Sequence, residues 1–259
     1  MSLLSPCFDK IMNKENKSES KSALERSVSQ FTAFFEQKLA DIQAIDIKKS
    51  GNLFQKILYA GLLDALSKTV SSPKKGNRER LVSLLRGFSG WDKCDHISLP
   101  HLIRLLQKVP DLEFSPLREY AFSLYDNWTP GAILYLDKDP SFNDIKKLWP
   151  SNLPKPLEDI SIESFQHAHL FYSYRNNLIH ELREPGYGME FKESEEPFYH
   201  SMKELETELY TWELVYPVDF YRKLCETTLS ELCKYYLRDR IDPYSCYTFG
   251  SYWLDALNI

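Results

Sequence analysis

The chain has 259 residues, 43% of them hydrophobic and 14% aromatic, which is enough apolar surface to build one large domain. A net charge of −5 excludes a protein that coats nucleic acid through bulk electrostatics, so any nucleic-acid site has to be a local basic patch. The five cysteines, Cys7, Cys94, Cys225, Cys233 and Cys246, have no zinc spacing and read as reduced thiols; with no membrane-length apolar run, the expected location is the cytoplasm.

Residues 13–22 are Lys, Glu, Ser and Asn without periodic apolar positions, so residues 1–22 read as a flexible leader and residues 23–259 as a single domain. From Ala23 to Ile45, Leu24, Val28, Phe31, Phe34, Phe35, Leu39 and Ile42 recur at helical steps. A second helix, Leu53 to Val70, places Phe54, Ile57, Leu58, Leu62, Leu63 and Leu66 on one broad face expected to lie wholly in the core, and Ser71-Ser72-Pro73 ends it. The run from Pro73 to Arg80 is the most basic in the chain and leads into a helical pattern at Leu81, Leu84, Leu85 and Phe88. Lys74, Lys75, Arg78 and Arg80 are the candidate RNA-binding patch, the alternative being a solvated loop and helix start.

Shorter helices are predicted from Leu99 to Val109 and from Leu117 to Tyr125, and Asn127 to Lys155 reads as irregular or as short helices. A long helix is predicted from Ser161 to Leu182, stopped by Pro185-Gly186. Met189–Phe191, Phe198–His200 and the alternating Glu208–Tyr216 are expected to supply a small antiparallel hairpin. A last helix spans Val218 to Arg238, and the aromatic end, Tyr235, Tyr236, Tyr244, Tyr247, Phe249, Tyr252 and Trp253, reads as core or interface ahead of a base-stacking surface. The predicted class is mostly α, a helical bundle with a small hairpin in the C-terminal third.

The most informative segment is Tyr174-Arg175-Asn176-Asn177-Leu178-Ile179-His180. A permanently charged guanidinium can hold a phosphate in a bidentate contact, and an imidazole titrating near neutrality can move a proton. RNA carries its own nucleophile, the 2′-hydroxyl, so Arg175 and His180 can act on it without a metal: His180 handles the hydroxyl proton, Arg175 stabilises charge on the phosphoryl oxygens, and Asn176 orients. Asn176 and His180 lie on one helical face, whereas Arg175 is turned by about 140° from His180 and must curl back. The motif turn supplies one histidine, so an efficient site calls for a second copy of the turn across a two-fold axis. The competing reading makes Arg175 a surface cation and His180 a residue favoured by the dipole at a helix C-terminus.

Elsewhere, His167 and His169 point to different faces and suit metal chelation poorly. Glu181 and Glu184 read as solvent-facing carboxylates, and the spacing of Asp92, Asp95 and His96 selects no reaction. There is no phosphate-binding glycine loop and no nucleophile elbow.

The motif at the end of a long helix, behind earlier amphipathic helices, resembles the HEPN superfamily, the higher eukaryotes and prokaryotes nucleotide-binding domain. Arg175 matches the motif arginine, Asn176 the polar residue after it, and His180 the histidine; the resemblance covers about Leu53 to Leu182. It implies a helical bundle and a metal-independent endoribonuclease without cofactors, active as a homodimer with a composite site. It also implies the setting of a toxin–antitoxin or phage-defence system, with an antitoxin or regulatory protein as partner. Some members of the superfamily do not catalyse, so the resemblance equally allows a nucleotide- or protein-binding module.

Overall fold

Amphipathic repeats become eight α-helices among the described residues of the computed structural model, which are 6–48, 50–71, 74–153, 155–191, 193–203 and 210–245, with backbone alone for 6–22 and 156. They are α1 (Pro6–Gln43), α2 (Gly51–Thr69), α3 (Asn77–Phe88), α4 (Leu99–Lys108), α5 (Ser115–Tyr125), α6 (Phe142–Leu148), α7 (His167–Glu181) and α8 (Val218–Asp239). Strands β1 (Ile133–Tyr135), β2 (Phe198–Lys203) and β3 (Tyr210–Val215) form one antiparallel sheet in that order. The mostly α class with a small antiparallel β element is therefore the observed one. No helix among the described residues is long and apolar enough to cross a membrane.

Helices α1, α2, α3, α7 and α8 pack on one another. Their shared interior is built from positions that recur at helical spacing, among them Phe31 and Phe35 on α1, Leu63 and Leu66 on α2, Leu81 and Leu85 on α3, and Leu224 and Leu232 on α8. Beside it, Trp91 sits edge-on to Phe171, Tyr216 and Phe220 at ring separations of 5.0–6.0 Å, which joins α7, the end of β3 and α8. In the sheet, Tyr199 is opposite Leu134 on one side and Leu214 on the other, and its ring is fully buried.

Several local expectations are corrected. The backbone of α1 is helical from Pro6, upstream of the expected start at Ala23, because Lys and Glu are good helix formers and propagation from an already packed helix needs no new nucleus. The α2 face is not wholly engaged: Phe54 and Leu58 are 41% and 45% exposed. The expected hairpin is the pair β2–β3, and a third strand, β1, comes from the stretch read as irregular or as short helices, which also holds the short helix α6, while Met189–Phe191 is not a strand. Ahead of α7 the chain forms a separate 3₁₀ turn at Ile162–Phe165, with Gln166 extended between the two. The Gln166 backbone bridges Ile97, and its side chain bonds Arg86 and Asp95, which holds it out of the helix. Cys94 and Cys225 are buried free thiols. Tyr236 is buried in the core, whereas Cys246, Tyr247, Phe249, Tyr252, Trp253 and the Cys7 side chain lie outside the described residues.

Candidate functional site

Helix α7 has two distinct long faces. His167, Phe171, Tyr174 and Leu178, at steps of four, three and four, are buried toward the core. His169, Tyr172, Asn176 and His180 run along the other side, and Arg175 lies on the boundary that faces α2. Leu182 ends the helix in a left-handed conformation, φ 52°, before Pro185 is reached.

The Arg175 guanidinium is half-buried and ion-paired with Asp64 of α2. Its Nη1 donates to Asn176 Oδ1 at 2.8 Å, and its Nε is buried without a partner. Burial pulls the Arg175 pKa below its ordinary value, without taking away a charge that arginine keeps at any physiological pH. Of the five guanidinium N–H donors, one each goes to Asp64 and Asn176, which leaves one hydrogen on each Nη for a ligand.

The aromatic ring of Tyr172 joins the motif to the basic segment. Arg175 Cζ lies 5.6 Å from the ring centroid and Arg78 Cζ lies 5.2 Å from it, so the N-terminus of α3 stands directly against the motif helix. Arg78 is exposed; Arg80 is turned aside, donating to Asn77 Oδ1, and Lys75 pairs with Glu79 at 3.2 Å. Lys74 is exposed at the start of the same segment. His169 lies along this surface, its pKa lowered first by burial and then by Arg86 and Arg78. His180, in the last turn of α7, is exposed and has no hydrogen bond to Arg175 or Asn176 among the described residues. The structure thus brings Arg78, Arg175 and Asn176 together and leaves His180 one turn further on, open to solvent.

Two polar networks were not anticipated. Lys56 of α2, fully buried, binds Glu184 Oε1 at 2.8 Å and Glu190 Oε2 at 2.6 Å, and Tyr174 donates to Glu184 Oε2 at 2.7 Å. Glu184 is therefore not solvent-facing but pins the segment that follows the motif. A readable signal existed: Lys56 is in phase with Ala60 and Leu63 on the buried side of α2. The second network runs through His167, Asp139, Tyr199, Ser98 and His101, with successive contacts of 2.7–2.8 Å. Its signal was His167, in phase with Phe171 and Tyr174. No cluster of three or more His, Cys, Asp or Glu suited to a metal occurs among the described residues. The chain matches no protein-family model, no curated protein and no solved structure.

Proposed function

We propose that the protein is a HEPN-type endoribonuclease, in which Arg175 and Arg78 hold the RNA phosphates and His180 handles the 2′-hydroxyl proton. The observation that supports this reading most directly is the Tyr172 ring shared by Arg78 and Arg175, which makes one cationic surface of two segments far apart in sequence. A phosphate on that surface meets Arg175 through its two remaining Nη hydrogens while Asp64 and Asn176 hold the guanidinium plane in place, and fixed donors of this kind stabilise developing charge without reorganising. The attack of the 2′-oxygen on phosphorus leaves a cyclic phosphate and a 5′-hydroxyl. Since the motif turn carries a single histidine, the second proton-handling group comes from the α7 of a second copy across a two-fold axis. The cellular setting of the proposal is a cytoplasmic toxin or defence effector restrained by an antitoxin or regulatory protein.

A second reading is a non-catalytic nucleotide- or protein-binding module. It is favoured by the pairing of Arg175 with Asp64 and by the lack of an Arg175–His180 hydrogen bond among the described residues. The two are separated by incubating the purified protein with single-stranded RNA in the presence of EDTA. Catalysis predicts cyclic-phosphate ends and a loss of at least about 100-fold in rate for Arg175→Ala and for His180→Ala. Binding without cleavage decides for the module, and equal cleavage by wild type and both variants refutes the assignment of these residues.

A further inference from the structure

On the opposite side of α7 from Tyr172, a cleft of about 340 Å³ opens between α4, α7, β3 and the Pro185–Gly186 segment. It is the open end of the buried hydrogen-bond chain, and the chain has a direction. Asp139, whose side chain is fully buried, receives the Leu99 N–H at 2.9 Å, His167 Nε2 at 2.7 Å and the Tyr199 hydroxyl at 2.8 Å. A carboxylate only accepts, so the Tyr199 proton points to Asp139. The Tyr199 oxygen must then accept from Ser98 Oγ, 2.8 Å away. Ser98 has one proton, now directed at Tyr199, so its oxygen accepts from His101 Nδ1 at 2.7 Å. His101 is thereby fixed as the Nδ1–H tautomer. Its Nε2 then keeps its lone pair and has no hydrogen bond among the described residues, and the residue lines the cleft.

The other lining groups have matching character. Asn177 Nδ2 donates to the Ser173 carbonyl at 3.1 Å, leaving Oδ1 as a second acceptor. Arg104 and Glu213 pair at 3.3 Å, so the cleft carries no net charge. Trp212, Tyr174 and Leu170 supply aromatic and apolar walls, which suit the face of a flat ring.

We propose that this cleft is a binding site for an uncharged planar heterocycle bearing an amino or ring N–H donor, the nucleobase class, held by His101 Nε2 and Asn177 Oδ1. The site is separate from the Arg175 surface, and nucleoside binding and RNA cleavage can each fail without the other.

The test uses the full chain with adenosine, guanosine and cytidine as probes. At least one should bind with a dissociation constant below about 1 mM, and nitrogen-15 spectra should show His101 protonated on Nδ1. Asn177→Ala and His101→Phe should each weaken binding about tenfold, with the fold checked by near-ultraviolet circular dichroism. If His101→Phe fails to fold, Asn177→Ala, at the rim of the cleft, decides alone. Absence of binding by all three nucleosides, an Nε2-protonated His101, or undiminished binding by the folded variants would overturn the proposal.

Discussion

Replacing Lys56 by methionine tests whether the buried charge cluster holds the segment after the motif. The Lys56 side chain is 0% exposed, and its ammonium stands 2.8 Å from Glu184 and 2.6 Å from Glu190, whose side chains are 23% and 11% exposed. Two carboxylates around one ammonium leave a formal surplus of one negative charge. Part of that surplus is met by α8, because Glu190 Oε1 accepts from the backbone N–H of Val218, the first residue of that helix, at its positive end. Methionine follows the lysine stem as far as Cε and lacks only the ammonium, so the change removes the charge while keeping most of the packing. It leaves two half-buried carboxylates facing each other, and breaking a buried pair in this way costs about 3–5 kcal/mol. For a chain of this size that lowers Tm by about 6–20 °C. Urea denaturation should show a lower midpoint with an unchanged slope. Neutralising the acids together with the lysine, as Lys56→Met, Glu184→Gln and Glu190→Gln, should recover much of the loss, since what is expensive is an orphaned charge and not the absence of a pair. A Lys56→Met protein within about 1 kcal/mol of wild type would refute the reasoning, because it would mean that the carboxylates find water or protons without hindrance.

The same buried chemistry sets a pH dependence. Burial pushes the His101 pKa down from 6.5 to about 4. The unfolded chain therefore binds a proton that the folded chain refuses between these values, so the stability from His101 is fully present above pH 6.5 and is lost as pH falls toward about 4, a loss of about 3 kcal/mol. His96 and His169, both lowered chiefly by burial, act in the same direction. Chemical denaturation at about pH 7.5 and about pH 4.5 should show this loss, and a folded His101→Gln variant should show a smaller one; equal losses would remove His101 as the cause. At Gly186, φ is +71° and an added Cβ would lie 2.5 Å from Glu213 Oε2, so Gly186→Ala should destabilise by about 1–3 kcal/mol. Gly61, in α2 with open space around its Cβ direction, is the control: Gly61→Ala should stabilise by about 0.5–1 kcal/mol in the same melts.

What the sequence makes legible is the face a residue occupies, because that depends on local period. The helical stripes of α1, α2, α7 and α8 follow from it, as does the placing of Asn176 and His180 on one side of α7. Strand β1 is illegible for the opposite reason: three half-buried residues in a stretch rich in Pro and Asp become a strand only because β2 offers them partners, Ile133 with His200 and Tyr135 with Phe198. Partners are just as remote for charges. Nothing around Arg175 announces Asp64, and nothing around Glu184 announces Lys56, 128 residues away.

Taken together, those two pairs contain more than either alone. Along α2 the order is Lys56 then Asp64; along the motif segment it is Arg175 then Glu184, and the observed pairs are Asp64 with Arg175 and Lys56 with Glu184. This crossing of the order means that the two segments run antiparallel. In a parallel arrangement the same four residues would set Lys56 against Arg175 and Asp64 against Glu184, two like-charge contacts in a partly buried interface in place of two opposite ones. The four charges therefore select the direction in which α7 docks on α2, a choice that the apolar stripes leave open. The same docking turns the Arg175 guanidinium toward α2 and leaves His180 exposed, so the pairing that fixes the direction of the helix also fixes which of the two motif side chains faces solvent.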